Sequence, residues 1–170
     1  MSCIFTTGYS LGCKDNLGGV QKFYIGNFSA VTSFSVGSDN IITGGTSVPT
    51  FYTFEQRNEV GEYKEDGAHS VENGTNYWTQ IASLTLYKNQ ASVRDLLLVL
   101  SQSRLQVLVL DQNGKYFMMA EQNGADLTAS SIGLGKAYGD LNGSTFSITA
   151  KEPSPAREVS STYVATLSIV

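Results

Sequence analysis

Between Asn73 and Ala120 the spacing of apolar residues changes period twice, and the changes mark out the centre of the chain. From Asn76 to Tyr87 the period is two. Trp78, Gln80, Ala82, Leu84 and Leu86 fall on one face, and Tyr77, Thr79, Ile81, Ser83, Thr85 and Tyr87 on the other. Alternation with this β-branched and aromatic content predicts a strand. Val93, Leu96, Leu97 and Leu100 then recur at i, i+3, i+4, i+7, the stripe of an amphipathic helix over about residues 90–102, with Asn89 placed to cap it. Strand period returns at Arg104–Leu110, and Asn113-Gly114 turns the chain into Lys115–Glu121. Asn-Gly between apolar runs is a strong hairpin signal, and it predicts a type I′ turn with positive φ at both residues.

On either side of this unit the pattern is mostly short strands. Val20–Phe28 alternates; Ser29–Phe34 extends it or pairs with it. Ser35–Pro49 is rich in Gly, Ser, Thr and Asn around a small island at Ile41-Ile42, and predicts a loop with one brief strand. Thr50–Glu55 predicts another strand. Gln56–Ser70 carries Arg57, Glu59, Glu62, Lys64, Glu65 and Asp66 with only Val60 and Tyr63 embedded, shows no period, and predicts a long solvated loop or projecting arm. After the centre, Ala125–Leu134, Ser144–Lys151 and Thr162–Val170 predict strands, the second stopped by Pro153 and Pro155 and the third docking on a sheet. Gly12–Gly19 and Gly135–Gly143 predict turns.

Composition narrows the class. The chain has 170 residues, enough for one domain (1–170) with a core that needs no disulfide or metal. Only 15% of residues are charged, and 17 glycines stand against 3 prolines, which suits a turn-rich β protein rather than a disordered or fibrous one. A net charge of −4 offers no basic surface for tight nucleic-acid binding. It is compatible with nucleic acid passing an acidic wall, where weak repulsion prevents sticking. No apolar run approaches the roughly 20 residues that cross a bilayer as a helix. Met1–Phe5 lacks the basic and apolar regions of a signal peptide, so synthesis in a reducing cytosol is expected, with Cys3 and Cys13 as free thiols.

The residues give little for chemistry to use. One histidine, His69, and two cysteines cannot furnish a Cys/His metal set. No Gly-x-Ser-x-Gly elbow presents a nucleophile. The stretch GCKDNLGG at 12–19 lacks the Gly-Lys-Ser/Thr ending of a phosphate loop. Neither the acidic residues of 59–66 nor Asp111-Gln112-Asn113-Gly114 has the ligand spacing of a calcium loop. An enzyme is not expected, and no catalytic residue, cofactor or metal is assigned.

The order strand (Asn76–Tyr87), helix (Gln90–Gln102) and strand-turn-strand (Arg104–Glu121) resembles the core of the tail tube proteins of tailed bacteriophages and the inner-tube proteins of contractile injection systems. The charged run Gln56–Ser70 falls where that family carries a long loop or hairpin arm that reaches neighbouring subunits. The closing strands around Lys151-Glu152-Pro153 also fit, and Asn113-Gly114-Lys115-Tyr116 and Asn142-Gly143 with Phe146-Ser147-Ile148 resemble phage structural proteins. The likeness covers most of the chain in plan, through no signature residues.

The resemblance implies a virion protein made in the host bacterial cytoplasm. It would form stacked, commonly hexameric rings around a channel through which viral DNA passes without specific binding. Sheath, tape measure or other tail proteins would be its further partners, with no membrane insertion. Arg57, Glu59, Val60, Tyr63, Lys64, Glu65 and Asp66 are the expected intersubunit contacts. The expected fold is mainly β, a β-sandwich or partly closed β-barrel with one flanking helix and a long projecting loop. The alternatives are another phage structural part (capsid decoration, connector, tail terminator or hub) or a monomeric β-sandwich that binds carbohydrate or a host surface.

Overall fold

A computed structural model describes residues 7–170. Its strands are β1 (Val20–Asn27), β2 (Ser33–Val36), β3 (Ile42–Thr46), β4 (Phe51–Glu55), β5 (Glu62–Ser70), β6 (Thr75–Tyr87), β7 (Leu105–Asp111), β8 (Tyr116–Met119), β9 (Ala125–Gly133), β10 (Gly143–Glu152) and β11 (Arg157–Val159). Helix α1 (Ala91–Gln102) lies between β6 and β7, and the short α2 (Ser161–Val164) follows β11. The hydrogen-bonded order is β2-β3-β11-β8-β7-β9-β10-β6-β5, with β1 on the other side of β7 and β4 outside β1. The fold is mainly β and sandwich-like with a flanking helix, and its sheet does not close.

Strand β7 explains how one continuous ladder yields two layers. All of Leu105–Leu110 is buried, the signature of a strand covered on both faces. Leu105, Val107 and Val109 face one core with Phe23, Leu97 and Phe146. Leu108 and Leu110 face a second core with Ile42, Phe51 and Met118. Each fully buried large side chain contributes about 1.5–3 kcal/mol, so both faces of β7 are strongly held. Strands β8 and β9 lie on the same side of β7, but β9 meets it only at Leu105–Ala125. Beyond that rung β9, β10, β6 and β5 form a four-stranded layer folded across the first core.

The corner between the layers, residues 120–124, turns through positive φ at Ala120 (62°) and Gly124 (74°). Buried side chains satisfy it. Gln80 Oε1 accepts from the Ala120 amide at 2.9 Å, and Gln106 Nε2 donates to the Ala120 carbonyl at 3.4 Å. Glu152 Oε1 accepts from the amides of Gln122 (3.1 Å) and Asn123 (2.8 Å).

The central expectations hold, with local corrections. Strand β6 buries Gln80, Ala82 and Leu84, the face read from the alternation. Helix α1 buries Leu97 and Leu100 and packs Val93 against the same core, while Leu96 lies at the exposed margin. The helix is capped by Gln90 through backbone geometry alone. Asn89 is not the cap; its Oδ1 accepts from Arg94 Nε at 2.9 Å instead.

The β7–β8 turn is tight, but it is not type I′. Gly114 has φ 78° and Asn113 does not have positive φ. The Gly114 amide donates to the Asp111 carbonyl, and Asp111 Oδ1 accepts from both the Asn113 (2.9 Å) and Lys115 (2.7 Å) amides. This is a type I turn completed by a left-handed glycine, in which an aspartate occupies the amides.

Two segments differ more. Residues 62–70 are not a loop: β5 pairs with β6 over nine rungs, Glu62–Ser83 to Ser70–Thr75. Charge on both faces hid its period. At the carboxyl end, 162–170 opens with α2 rather than a strand. The expected docking on a sheet is present, since the Phe51 amide donates to the Ser168 carbonyl and the Thr53 amide to the Val170 carbonyl, on the outer edge of β4. Cys3 lies outside the described residues; Cys13 is an exposed free thiol. The turn segment Gly12–Gly19 is exposed and held to the β7–β8 hairpin by Asn113, which bonds Asn16 and Leu17.

Candidate assembly surface

The layer β9-β10-β6-β5 has one face in the core and one facing away from it. Period two along each strand sets the outward residues. On β6 these are Thr79, Ile81, Ser83 and Thr85, and on the neighbouring β10 the residues opposite them are Lys151, Thr149, Ser147 and Thr145. Apart from Ile81 and Lys151 these are short hydroxyl side chains, which lie in rows across the sheet and bond to one another. Ser83 Oγ and Ser147 Oγ are 3.1 Å apart, and Thr128 Oγ1 of β9 is 2.9 Å from Thr149 Oγ1. A shallow cavity of about 250 Å³ on this face is lined by Ser83, Thr85, Thr145 and Ser147 with Ala129 and Ser131. Lys64 and Asp66 add an exposed ion pair at 3.3 Å on β5. Exposed pairs of this kind contribute at most about 1 kcal/mol.

Both edges of the layer are free of strand partners among the described residues. β5 pairs only with β6, and β9 beyond Ala125 pairs only with β10. The four strands are antiparallel throughout, so β5 and β9 run in opposite directions. Free edges carry unpaired N–H and C=O groups, the template for pairing with another chain.

The seven residues expected from the charged run do not form one patch. Arg57 stacks over Tyr87 at 4.6 Å from the ring centroid, and the neighbouring Gln56 Oε1 accepts from the Thr85 amide at 3.0 Å, so this part hugs the far end of β6. Glu59 sits in a turn with φ 65°, and Val60 flanks the hydroxyl face. Tyr63 turns inward; burial, followed by the nearby Glu65 carboxylate, pushes its phenol well above the usual range. Glu65 Oε2 accepts from the Ala156 amide at 2.9 Å. Of the seven, only Lys64 and Asp66 face outward from β5, in the same row as Glu62.

The part that does project is the tip of the β5–β6 hairpin. β10 ends opposite Trp78, so the rungs Ala68–Tyr77, His69–Asn76 and Ser70–Thr75 extend beyond it. His69 is a strand residue whose Nδ1 lies 2.7 Å from Asn76 Oδ1 and whose ring meets Trp78 edge-on. A Cβ at Gly67 would sit 2.6 Å from His69 Nε2 and 3.3 Å from Trp78, so glycine leaves room for that stack. Nothing in the apolar periodicity singled out this tip, because its most exposed apolar residue, Val71, stands between the polar Ser70 and Glu72.

Acidic groups also gather near the corner between the layers. Glu121 pairs with Arg157 at 2.7 Å. Its carboxyl is pushed up by burial and by Glu152, against the pull of Arg157. Burial likewise pushes Glu152 up, opposed by its two amide donors. Among the described residues no group of three or more His, Cys, Asp or Glu side chains could hold a metal ion, and no helix is long and apolar enough to cross a membrane. An open cleft of about 520 Å³ lies between Asn76, Tyr77, Gln122, Asn123 and Lys151, shallow and rich in amides. No family model matches the chain, and no curated protein matches it.

Proposed function

We propose that this chain is a virion structural protein of a tailed phage, a tail tube subunit whose rings stack around the channel for the genome. The supporting observation is the layer β9-β10-β6-β5: antiparallel, unpaired at both edges, mostly polar on one face and seated on a core by the other. Rotation about an axis beside the hydroxyl face brings β5 of one copy next to β9 of its neighbour in antiparallel sense. Repetition closes a barrel and removes every free edge of the layer. The hydroxyl face then lines the lumen, and the first core, α1 and the other layer lie outside it. Short neutral hydroxyls over most of this face and a subunit charge of −4 suit a wall that phosphate must slide past. The plan of strand, helix and hairpin that resembles the tail tube family supports the same assignment.

A ring of this kind that did not stack would instead be a connector or tail terminator. A monomeric binding module is less well supported: exposed Tyr9, Tyr52, Tyr77 and Tyr138 lie on four separate segments rather than in one platform.

Negative-stain imaging and light scattering of concentrated protein test the reading. Rings with a central hole are expected. The double variant Ala129→Lys/Ser131→Lys, which places charge along the free edge of β9, should remain a folded monomer. Wild-type protein that stays monomeric at high concentration overturns the proposal.

A further inference from the structure

In an Asn-Gly pair the asparagine side chain lies open to attack by the next backbone nitrogen, because glycine has no Cβ to obstruct the approach. The chain contains four such pairs: Asn73-Gly74, Asn113-Gly114, Asn123-Gly124 and Asn142-Gly143. The fold restrains three of them. Asn113 Nδ2 donates to Asn16 Oδ1 at 2.8 Å and to the Leu17 carbonyl at 2.9 Å, and its Oδ1 accepts from the Leu17 amide at 2.9 Å. The Gly114 amide is itself engaged, donating to the Asp111 carbonyl. Asn123 Nδ2 donates to the Lys151 carbonyl at 2.8 Å, and Gly124 is buried, with Phe28 and Arg104 crowding the position of a Cβ. Gly143 is buried at the start of β10 between Tyr87 of β6 and Gly133 of β9, so its nitrogen moves only if the ladder opens. Asn73-Gly74, in the β5–β6 turn, has no such restraint. Both residues are exposed, and neither the Asn73 side chain nor the Gly74 amide forms a hydrogen bond among the described residues. A Cβ built at Gly74 meets nothing within 4 Å beyond its chain neighbours. The one bond of Asn73 runs from its backbone amide to Ser70 Oγ, at 3.3 Å.

We infer that Asn73 is a site of spontaneous deamidation, and that of the four pairs it alone converts readily in the folded protein. The Gly74 nitrogen, having lost its proton to solvent base, attacks Asn73 Cγ. The new N–Cγ bond closes a succinimide ring, the Cγ–Nδ2 bond breaks, and Nδ2 leaves as ammonia with a proton from solvent. Water then opens the ring on either side. Cleavage of the N–Cγ bond gives an aspartate, and cleavage of the bond between the Asn73 carbonyl carbon and the Gly74 nitrogen gives an isoaspartate, whose chain continues through the side chain. Water is the only co-reactant, ammonia the only leaving group, and no atom is oxidised or reduced. Either product places a carboxylate beside Glu72, a further negative charge on an acidic chain. The isoaspartate also adds a methylene to the backbone of the turn 71–74. That turn lies past the end of β10 and contributes to neither core, so the fold tolerates the change. At the other three sites the reaction waits on local opening, and the open population falls with the free energy of opening.

Trypsin separates the four sites into peptides 65–88, 105–115, 116–136 and 137–151. The full chain is aged in mildly alkaline buffer, digested and analysed by mass spectrometry for the exchange of NH2 for OH, with fragmentation to place it. In the folded protein Asn73 should convert about tenfold or more faster than Asn113, Asn123 or Asn142. In urea all four should convert at similar rates. Asn73→Gln, which would have to close a larger ring, should leave peptide 65–88 unmodified, with an unchanged circular dichroism spectrum. Conversion in the folded protein at any of the other three sites as fast as at Asn73 overturns the inference. So does an unmodified Asn73 over a time in which the urea-unfolded chain reacts at all four. Neither result bears on the ring reading.

Discussion

The side-chain oxygen of Gln80 accepts a 2.9 Å hydrogen bond from the backbone amide of Ala120, forty residues away. Gln80 is only 1% exposed and lies on the core face of β6, at a place where the alternation calls for an apolar residue. Its partner is the left-handed residue at which the chain leaves β8 for the second layer. The bond answers what would otherwise be a buried amide without an acceptor. Gln80→Leu should therefore cost about 1–3 kcal/mol, the penalty of an unmet buried group, despite its greater hydrophobicity. Urea denaturation measures this, and a stabilised variant would refute the role.

Ala120 itself gives the converse expectation. Its φ of 62° is unfavourable for a residue with a Cβ by about 1–2 kcal/mol, and glycine carries no such penalty. Ala120→Gly trades that strain against the extra freedom of the unfolded chain and the lost contacts of a buried methyl. It should change stability by less than about 1 kcal/mol, whereas alanine-to-glycine inside β6, at Ala82, should be plainly destabilising. Equal losses at both positions would show that strain at the corner is absent.

On α1, Leu97 is buried and Leu98 is exposed one residue later. Leu97→Ala should cost about 2–5 kcal/mol through lost burial and a cavity, and Leu98→Ala less than about 1 kcal/mol in the isolated subunit. Matching melting temperatures for the two would mean that the helix seats another face.

At the β7–β8 turn Gly114 has open space around the position of a Cβ, so any cost there is conformational. Gly114→Val should be poorly tolerated, because a β-branched residue resists φ near 78°. Asp111→Ala should also destabilise, by about 1 kcal/mol or more, since two amides lose their acceptor. If Asp111→Ala proves neutral while Gly114→Val does not, the carboxylate is dispensable to the turn.

Glu121 and Glu152 make stability depend on pH in a defined sense. Burial raises both above their usual value near 4.5. A group with a raised folded pKa adds stability that is complete below its unfolded pKa and is lost as pH rises through the folded one. Glu152→Gln keeps an oxygen to accept from Gln122 and Asn123 and removes the titration. The variant should therefore gain on the parent as pH climbs from about 4.5 toward neutrality. Melting curves across that range check it, and a gap that stays constant or narrows contradicts it.

Local pattern was enough for the parts of this protein that are stabilised where they lie in sequence. The alternation of β6, the stripe of α1 and the turn of β7 into β8 each involve neighbours within a few residues, and each is present. From composition, too, came the mainly β class. Other features were settled by partners distant in the chain. Strand β5 is ordered by nine rungs on β6 although Glu62, Lys64, Glu65 and Asp66 leave it little apolar surface of its own. In Thr162–Val170 the strand-like alternation gave way to a helical turn, because Val164 finds its burial beside Ile42 and Phe51 while the last residues reach β4. Which face of the second layer is free and which of its edges lack partners follow from strand order alone. Period two says that a strand has two faces, but only the packing of the whole chain decides which of them is left to meet another molecule.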